Sequence, residues 1–452
     1  MNRLRLVLLG AALATARAAN ADTVQASSTT MLLGRQDFRE GSLQTAVPLY
    51  ELLNLDASGV KTPYADFEIA LSTWGSADLA DVRFWQNGAQ IRDHFTGDVN
   101  VGFVRADFLH RTFTLRLGRQ VVADGVARVV QIDGAEGRLA LPAGFGLSGY
   151  AGVPVAPRFA TRGGDLAVGN VRATFTAGGR ASWQYPGLVD LGVSYAQATD
   201  HGDPSRQDFG ADFRLTPHRM LQLTGSSWWS VYEGRLAEAA LAAQVFPLRH
   251  LEVTVDYRHV LPDLFLPRNS ILSVFVSEKR NDVGGAVRWS VARDLALDAD
   301  YHLLIEDSGK GHWARAKGTY HPGGPATTVG AEYSLLKNSG GSSPINDNGY
   351  HEVRLFGGRR IAAVVTGTLD LMAYFFDRDI RPAGGQGAQA AGQAGDGVSY
   401  SLAATATLAY QFARGWRAAL AGTAGSTPFL ERQFEIMAKL VYQRTYAVRE
   451  VK

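Results

Sequence analysis

The chain of 452 residues contains no cysteine. That absence excludes disulfide staples, thiolate metal sites and covalent haem attachment within this polypeptide. Long apolar runs are missing as well. Beyond the first 21 residues no stretch reaches the roughly 18 residues that a membrane-spanning helix needs, so no such helix is predicted in the mature chain. Net charge is scarce: 45 Lys and Arg against 43 Asp and Glu leave +2, which does not describe a nucleic-acid binder. Lysine itself is rare, so the positive charge is carried almost entirely by arginine.

Catalytic signatures are also lacking. The ten histidines are scattered without HxxH or HExxH spacing, and no GxSxG occurs. The glycines of residues 381–397 lack the strand and helix context of a phosphate loop. Asp200, Asp203 and Asp347 read as solvated turn acids rather than a calcium rim. No enzyme, no cofactor and no metal site is expected.

What is present is glycine, 50 residues of it, together with 10 % aromatics and a period of two. In "YSLAATATLAYQF", starting at Tyr400, one face carries Tyr400, Leu402, Ala404, Ala406, Leu408, Tyr410 and Phe412. The other face is Ser, Ala, Thr and Gln. As a helix the segment would rise about 20 Å, too short for the roughly 30 Å hydrocarbon layer. As a strand it has an apolar face with aromatic ends.

Several segments repeat this alternation with ionic polar faces. Arg206, Asp208, Asp212 and Arg214 oppose Phe209, Ala211, Phe213 and Leu215. Glu252, Asp256 and Arg258 oppose Leu251, Val253, Val255 and Tyr257, and Asp298 and Asp300 oppose Leu297, Ala299 and Tyr301. Arg315 and Lys317, with Trp313, lie on the polar face of another segment, and Arg354 on that of a fifth. A soluble sandwich would also give alternation. Segments of about 10 residues, aromatics at their ends, and short turns alternating with longer loops favour a membrane barrel, since soluble strands average five or six residues.

The fold expected is all-β: one transmembrane antiparallel β-barrel of about 18 strands, within a range of 16 to 20. The apolar faces then meet outer-membrane lipid. The twelve charged residues from Arg206 to Arg354 just named would line the pore, with both signs present and no strong field of one sign.

Residues 1–21, basic at Arg3 and Arg5, apolar from Leu6 to Ala14 and ending in Ala19-Asn20-Ala21, have the layout of a signal peptide cleaved after Ala21. Residues 22–63 show few alternation cues and read as a periplasmic arm or lumen plug, with a first strand as the remaining alternative. Residues 64–444 form the barrel, and 445–452 a periplasmic tail. Residues 74–98 read as a first long loop. Residues 260–282, apolar clusters broken by Pro262 and Pro267, read either as a constriction folded into the lumen or as an extracellular hairpin. Arg268, Glu278, Lys279 and Arg280 would be the constriction's charged groups.

The segment "LRLGRQVVADGVAR", residues 115–128, resembles the glycine-arginine-glutamine strand and following turn of alginate-export-type outer-membrane porins. The glycine- and arginine-rich composition, signal and size also resemble the β-barrels of myxobacterial composite polysaccharide export systems. That likeness implies polysaccharide export with a periplasmic partner docked beneath the barrel and carbohydrate as cargo. The alternatives are a general or sugar-uptake porin, and a sheath around a multihaem cytochrome. The expected location is the Gram-negative outer membrane.

Overall fold

The computed structural model describes residues 23–39, 42–79, 85–86, 89–90, 95–125, 127–155, 174–200, 202–261, 279–339, 349–380, 398–427 and 430–447. Their long strands run from 10 to 18 residues, for example Phe145–Pro154 and Leu430–Ala447. At about 3.3 Å per residue the shortest already covers roughly 33 Å. Each pairs antiparallel with the strands before and after it in the chain, and Thr23–Arg39 pairs with Leu430–Ala447 to close the sheet. Closure leaves no unpaired edge, which backbone in hydrocarbon requires.

The sheet has 23 strands, of which Ser42–Ala46 and Pro48–Lys61 both pair with Thr23–Arg39 and share one place in the wall. The barrel is therefore 22 strands around among the described residues. This corrects the expected 16 to 20. Residues 23–61 supply two strands beyond the counted range: they are wall, as the first-strand alternative had it in part, and not arm or plug. Their alternation is blurred because Ser28, Thr30 and Glu51 share the face of Leu32 and Leu53, with Ser28 Oγ and Thr30 Oγ1 donating to the Glu51 carboxylate at 2.6 and 2.7 Å. Residues 74–98 are likewise not a single loop, since Ala65–Asp78 and Phe95–Phe108 take both ends. The last strand runs on to Ala447, into the expected tail. The signal peptide and residues 381–397 lie outside the described residues.

At the end that holds both termini the strands are joined by two to six residues, such as 219–220 and 414–415. At the other end five connections have ten or more residues, 79–94, 155–173, 261–279, 340–349 and 381–397. In outer-membrane barrels the short turns are periplasmic and the long loops extracellular.

The two faces of the wall are sorted by contacts between strands that are not neighbours, because only the concave side allows them. Ala196 packs against the buried cluster of Val122, Ile132 and Tyr150, although three wall positions separate Phe113–Asp124 from Val189–Asp200. Ala196 therefore faces inward. Its register partner Asp208 does too, and the pairing carries the inner face on to Arg258, Asp298, Lys317, Glu332 and Arg354.

The opposite face exposes Val255, Leu297, Leu355, Leu369, Leu408, Leu420 and Ile436. Aromatic rings bound this apolar band. Near the short turns Tyr410, Phe412, Trp416 and Tyr442 follow one another at centroid distances of 5.9, 6.1 and 4.7 Å, and the Tyr442 and Tyr446 hydroxyls share a 2.8 Å hydrogen bond. Toward the other end stand the exposed rings of Trp229, Tyr301, Tyr333, Phe375 and Tyr400. Tyr400 and Tyr410 are ten residues apart on one strand, about 33 Å, or roughly 25 Å across the membrane at the usual tilt near 40°.

Candidate functional site

The inner wall is the site, and it is built from cross-strand pairs of opposite charge. Antiparallel register sets side chains of neighbouring strands about 5 Å apart on the same face, so Arg on one strand reaches Asp or Glu on the next. Arg315 donates to Asp300 Oδ2 from Nε at 2.8 Å and lies 3.8 Å from Glu332. Arg354 grips Asp370, with Nε at 2.9 and 3.0 Å from the two oxygens. Arg258 meets Glu238 at 2.7 Å, and Arg288 stands between Glu252 at 3.5 Å and Asp298 at 3.9 Å. His302 Nδ1 is 2.8 Å from Asp282 and 3.8 Å from Asp256. Lys317 lies 5.2 Å over the Phe356 ring, which also carries Arg354 at 5.5 Å on a shared slab of aromatic surface.

The twelve charged residues named from the sequence thus fall on one face but not in one cluster. Arg206 pairs with Asp208 and lies 5.3 Å over the Trp228 ring, while Asp212 receives Arg180 at 2.6 Å. Arg214 is exposed, level with Asp190 and Thr224. Of the expected constriction residues, Arg268 and Glu278 lie outside the described residues. Lys279 sits 3.9 Å from Asp307, and Arg280 opens the strand Arg280–Ala292 rather than standing on a loop. A recess of about 430 Å³ lies between Thr328, Arg354, Phe356, Arg360, Thr368 and Asp370.

Sequence reasoning missed the partners Glu238, Arg288, Glu332 and Asp370, each of which sits at an alternate position of its own strand and was there to be found. It also missed the most enclosed group of the wall. Glu136 is 2 % exposed and accepts from Arg116 at 3.0 Å and Arg138 at 2.7 Å. Gln120 beside it is fully buried. Gln120 Oε1, Arg116 Nε and Arg180 Nε have no hydrogen-bond partner among the described residues, so this part of the wall is a polar seam and not a dry core. Its signal in the sequence was the alternation of Glu136 and Arg138 in "GAEGRLA", obscured by the two glycines, Gly134 and Gly137, that flank it.

A closed sheet, apolar outside between two aromatic belts and ionic within, satisfies what hydrocarbon demands of a spanning structure. The chain is an outer-membrane β-barrel. Its inner wall can exchange hydrogen bonds with water and with hydroxylated or charged solutes. Because the charges are largely paired, each carboxylate beside its guanidinium, the barrel offers many weak polar contacts and little net field.

Comparison of the sequence with protein-family models and with curated proteins returns no match. Among solved structures the barrel is similar to OccAB4 of Acinetobacter baumannii, at 10% identity over 95% of this chain and 100% of that one, with a TM-score of 0.45. The outer membrane protein OpdK of Pseudomonas aeruginosa gives 10% identity over 94% and 99%, with a TM-score of 0.44. OccK8 (OprE) of the same organism gives 12% over 94% and 98%, with a TM-score of 0.43. Likeness this distant decides neither the solute nor the direction of transport. No family model or curated protein matches residues 115–128, so the resemblance to alginate-export porins is not shown.

Proposed function

We propose that the barrel is a passive channel for small hydrophilic solutes. The observation that supports this reading best is the inner wall itself: charges of both signs are paired strand to strand around much of the circumference. Such a wall keeps the lumen wet while holding no solute tightly, and a conducting site has to be weak and repeated in order to release what enters it. Arg206, Asp208, Asp212, Arg214, Glu252, Asp256, Arg258, Asp298, Asp300, Arg315, Lys317 and Arg354 would be its pore-lining groups. Aromatic surface beside them, as at Phe356 and Trp313, suits sugars as well as ions.

Export of polysaccharide through a periplasmic partner is the second reading, and barrel size favours it. Twenty-two strands at about 4.8 Å spacing and 40° tilt give a circular wall roughly 44 Å across between backbones, wider than porins of 16 to 18 strands. Planar-bilayer recording separates the two. A steady conductance blocked by short sugars, with liposome swelling that falls off for oligosaccharides, supports the porin. A large conductance blocked only by long polysaccharide supports export, and no conductance from the folded barrel overturns both for the isolated protein.

A further inference from the structure

One part of the wall leaves the circle. Gly118, Gly134 and Gly152 stand side by side on three neighbouring strands, paired Gly118 with Gly134 and Gly134 with Gly152. Each lacks room for a side chain. A Cβ on Gly118 would meet the Gly102 carbonyl, one on Gly134 the Ala151 carbonyl, and one on Gly152 would come within 2.6 Å of the Asp133 carbonyl. Gly118 also has φ of +125°, outside the range of ordinary L residues. A row of glycines across adjacent strands lets a sheet bend sharply.

Beyond this crease the hairpin of Phe113–Asp124 and Ala127–Ala140 turns into the lumen. Val122 and Ile132, 1 % and 0 % exposed, pack with Tyr150 against Ala196. The Tyr150 ring lies over Gly178, where a Cβ would be 2.7 Å from it. At the hairpin tip a Cβ on Gly125 would be 2.8 Å from Ser194 Cβ and 3.0 Å from Arg180 Cδ. The tip thus rests on the middle of Val189–Asp200, not at the rim.

We propose that the narrowest section of the channel is made by the wall itself: the glycine crease folds the hairpin of residues 113–140 onto strands Thr174–Tyr185 and Val189–Asp200. This rests on the channel reading above. Six consecutive strands, from Phe113–Asp124 to Asp203–His218, then close on one another, and of these only the last, Asp203–His218, still borders the open lumen. The conducting perimeter is that of about 16 strands, and lumen area scales roughly with the square of strand number, so the crease about halves the open cross-section. Arg180 and Asp212, at the foot of the docked tip, border the opening and filter what passes.

The chain has no cysteine of its own, so a designed pair reads the geometry cleanly. In Gly125→Cys with Ser194→Cys the Cβ atoms start closer than the roughly 3.8 Å of a disulfide, and a shift of about 1 Å seats the bond. The folded barrel is expected to form this bridge under mild oxidant, with conductance unchanged from wild type. Failure to form it in a barrel that still shows the heat-modifiable mobility of the folded state overturns the proposal, whether or not the protein conducts. Val122→Asp combined with Ile132→Asp undocks the hairpin, and single-channel conductance is expected to rise about twofold. A folded double variant conducting as wild type overturns the proposal. A double-cysteine variant that forms the bridge, beside a folded wild-type barrel that never conducts, sinks the channel reading instead and leaves the fold of the crease standing.

Discussion

Glu136 is the side chain whose removal the inner wall should feel most. Its carboxylate is 2 % exposed and holds two guanidinium groups, Arg116 through Oε2 at 3.0 Å and Arg138 through Oε1 at 2.7 Å. The two arms do not count equally. Arg138 is half exposed, 52 %, and water replaces most of what it loses, whereas Arg116 at 23 % remains enclosed beside Gln120 and the Phe103 ring, 4.8 Å from its guanidinium. Removing one partner of a buried pair costs about 3–5 kcal/mol because the other charge is left unpaired, and an exposed pair is worth about 0–1 kcal/mol. Taking the enclosed arm at the low end gives about 3 kcal/mol for Glu136→Ala. Glu238→Ala, which releases the 57 % exposed Arg258, should cost less than about 1 kcal/mol. The assay is reversible urea unfolding of the two variants in phospholipid vesicles, followed by tryptophan fluorescence. Equal losses for the two, or a Glu136→Ala loss under about 1 kcal/mol, would refute the idea that this part of the wall is closed over.

Three further outcomes are expected. Ile436 faces lipid midway between the aromatic belts while Ala421 on the neighbouring strand faces inward, so Ile436→Arg should destabilise the barrel by about 2–4 kcal/mol and Ala421→Arg by less than about 1; comparable losses in the same urea titration would show the faces to be assigned wrongly. Asp300→Asn frees the Arg315 guanidinium from its closest partner, and the reversal potential in a KCl gradient should move toward anions, with the permeability ratio changing about twofold; a shift toward cations would contradict the inward placement of Arg315. Deleting residues 23–39 strips the partner from both Pro48–Lys61 and Leu430–Ala447, so no folded, heat-modifiable band should appear; a deletion variant that still assembles would return those residues to the role of an arm.

The class of fold was readable because each strand carries its own record of two environments. Leu402, Leu408 and Tyr410 against Ser401, Thr405 and Thr407 is a pattern that only a two-faced strand explains, and its length matches a tilted crossing. The charged inner positions were readable for the same reason, residue by residue. The strand number was not. Around Ser28, Thr30 and Glu51 polar side chains satisfy one another on the outer face, so local hydropathy no longer reports which solvent each face meets.

By itself, then, the sequence determined a cysteine-free chain of long two-faced strands, apolar on one side and ionic on the other, with no apolar run beyond residue 21 long enough for a spanning helix. Tertiary structure alone decided that 22 strands close, that Arg315 meets Asp300 and Arg354 meets Asp370, and that Gly118, Gly134 and Gly152 come into line. The physical reason is that alternation is a local property, written within one strand. Closure, pairing and the crease depend on register between strands, and no residue records its register until its neighbours are in place.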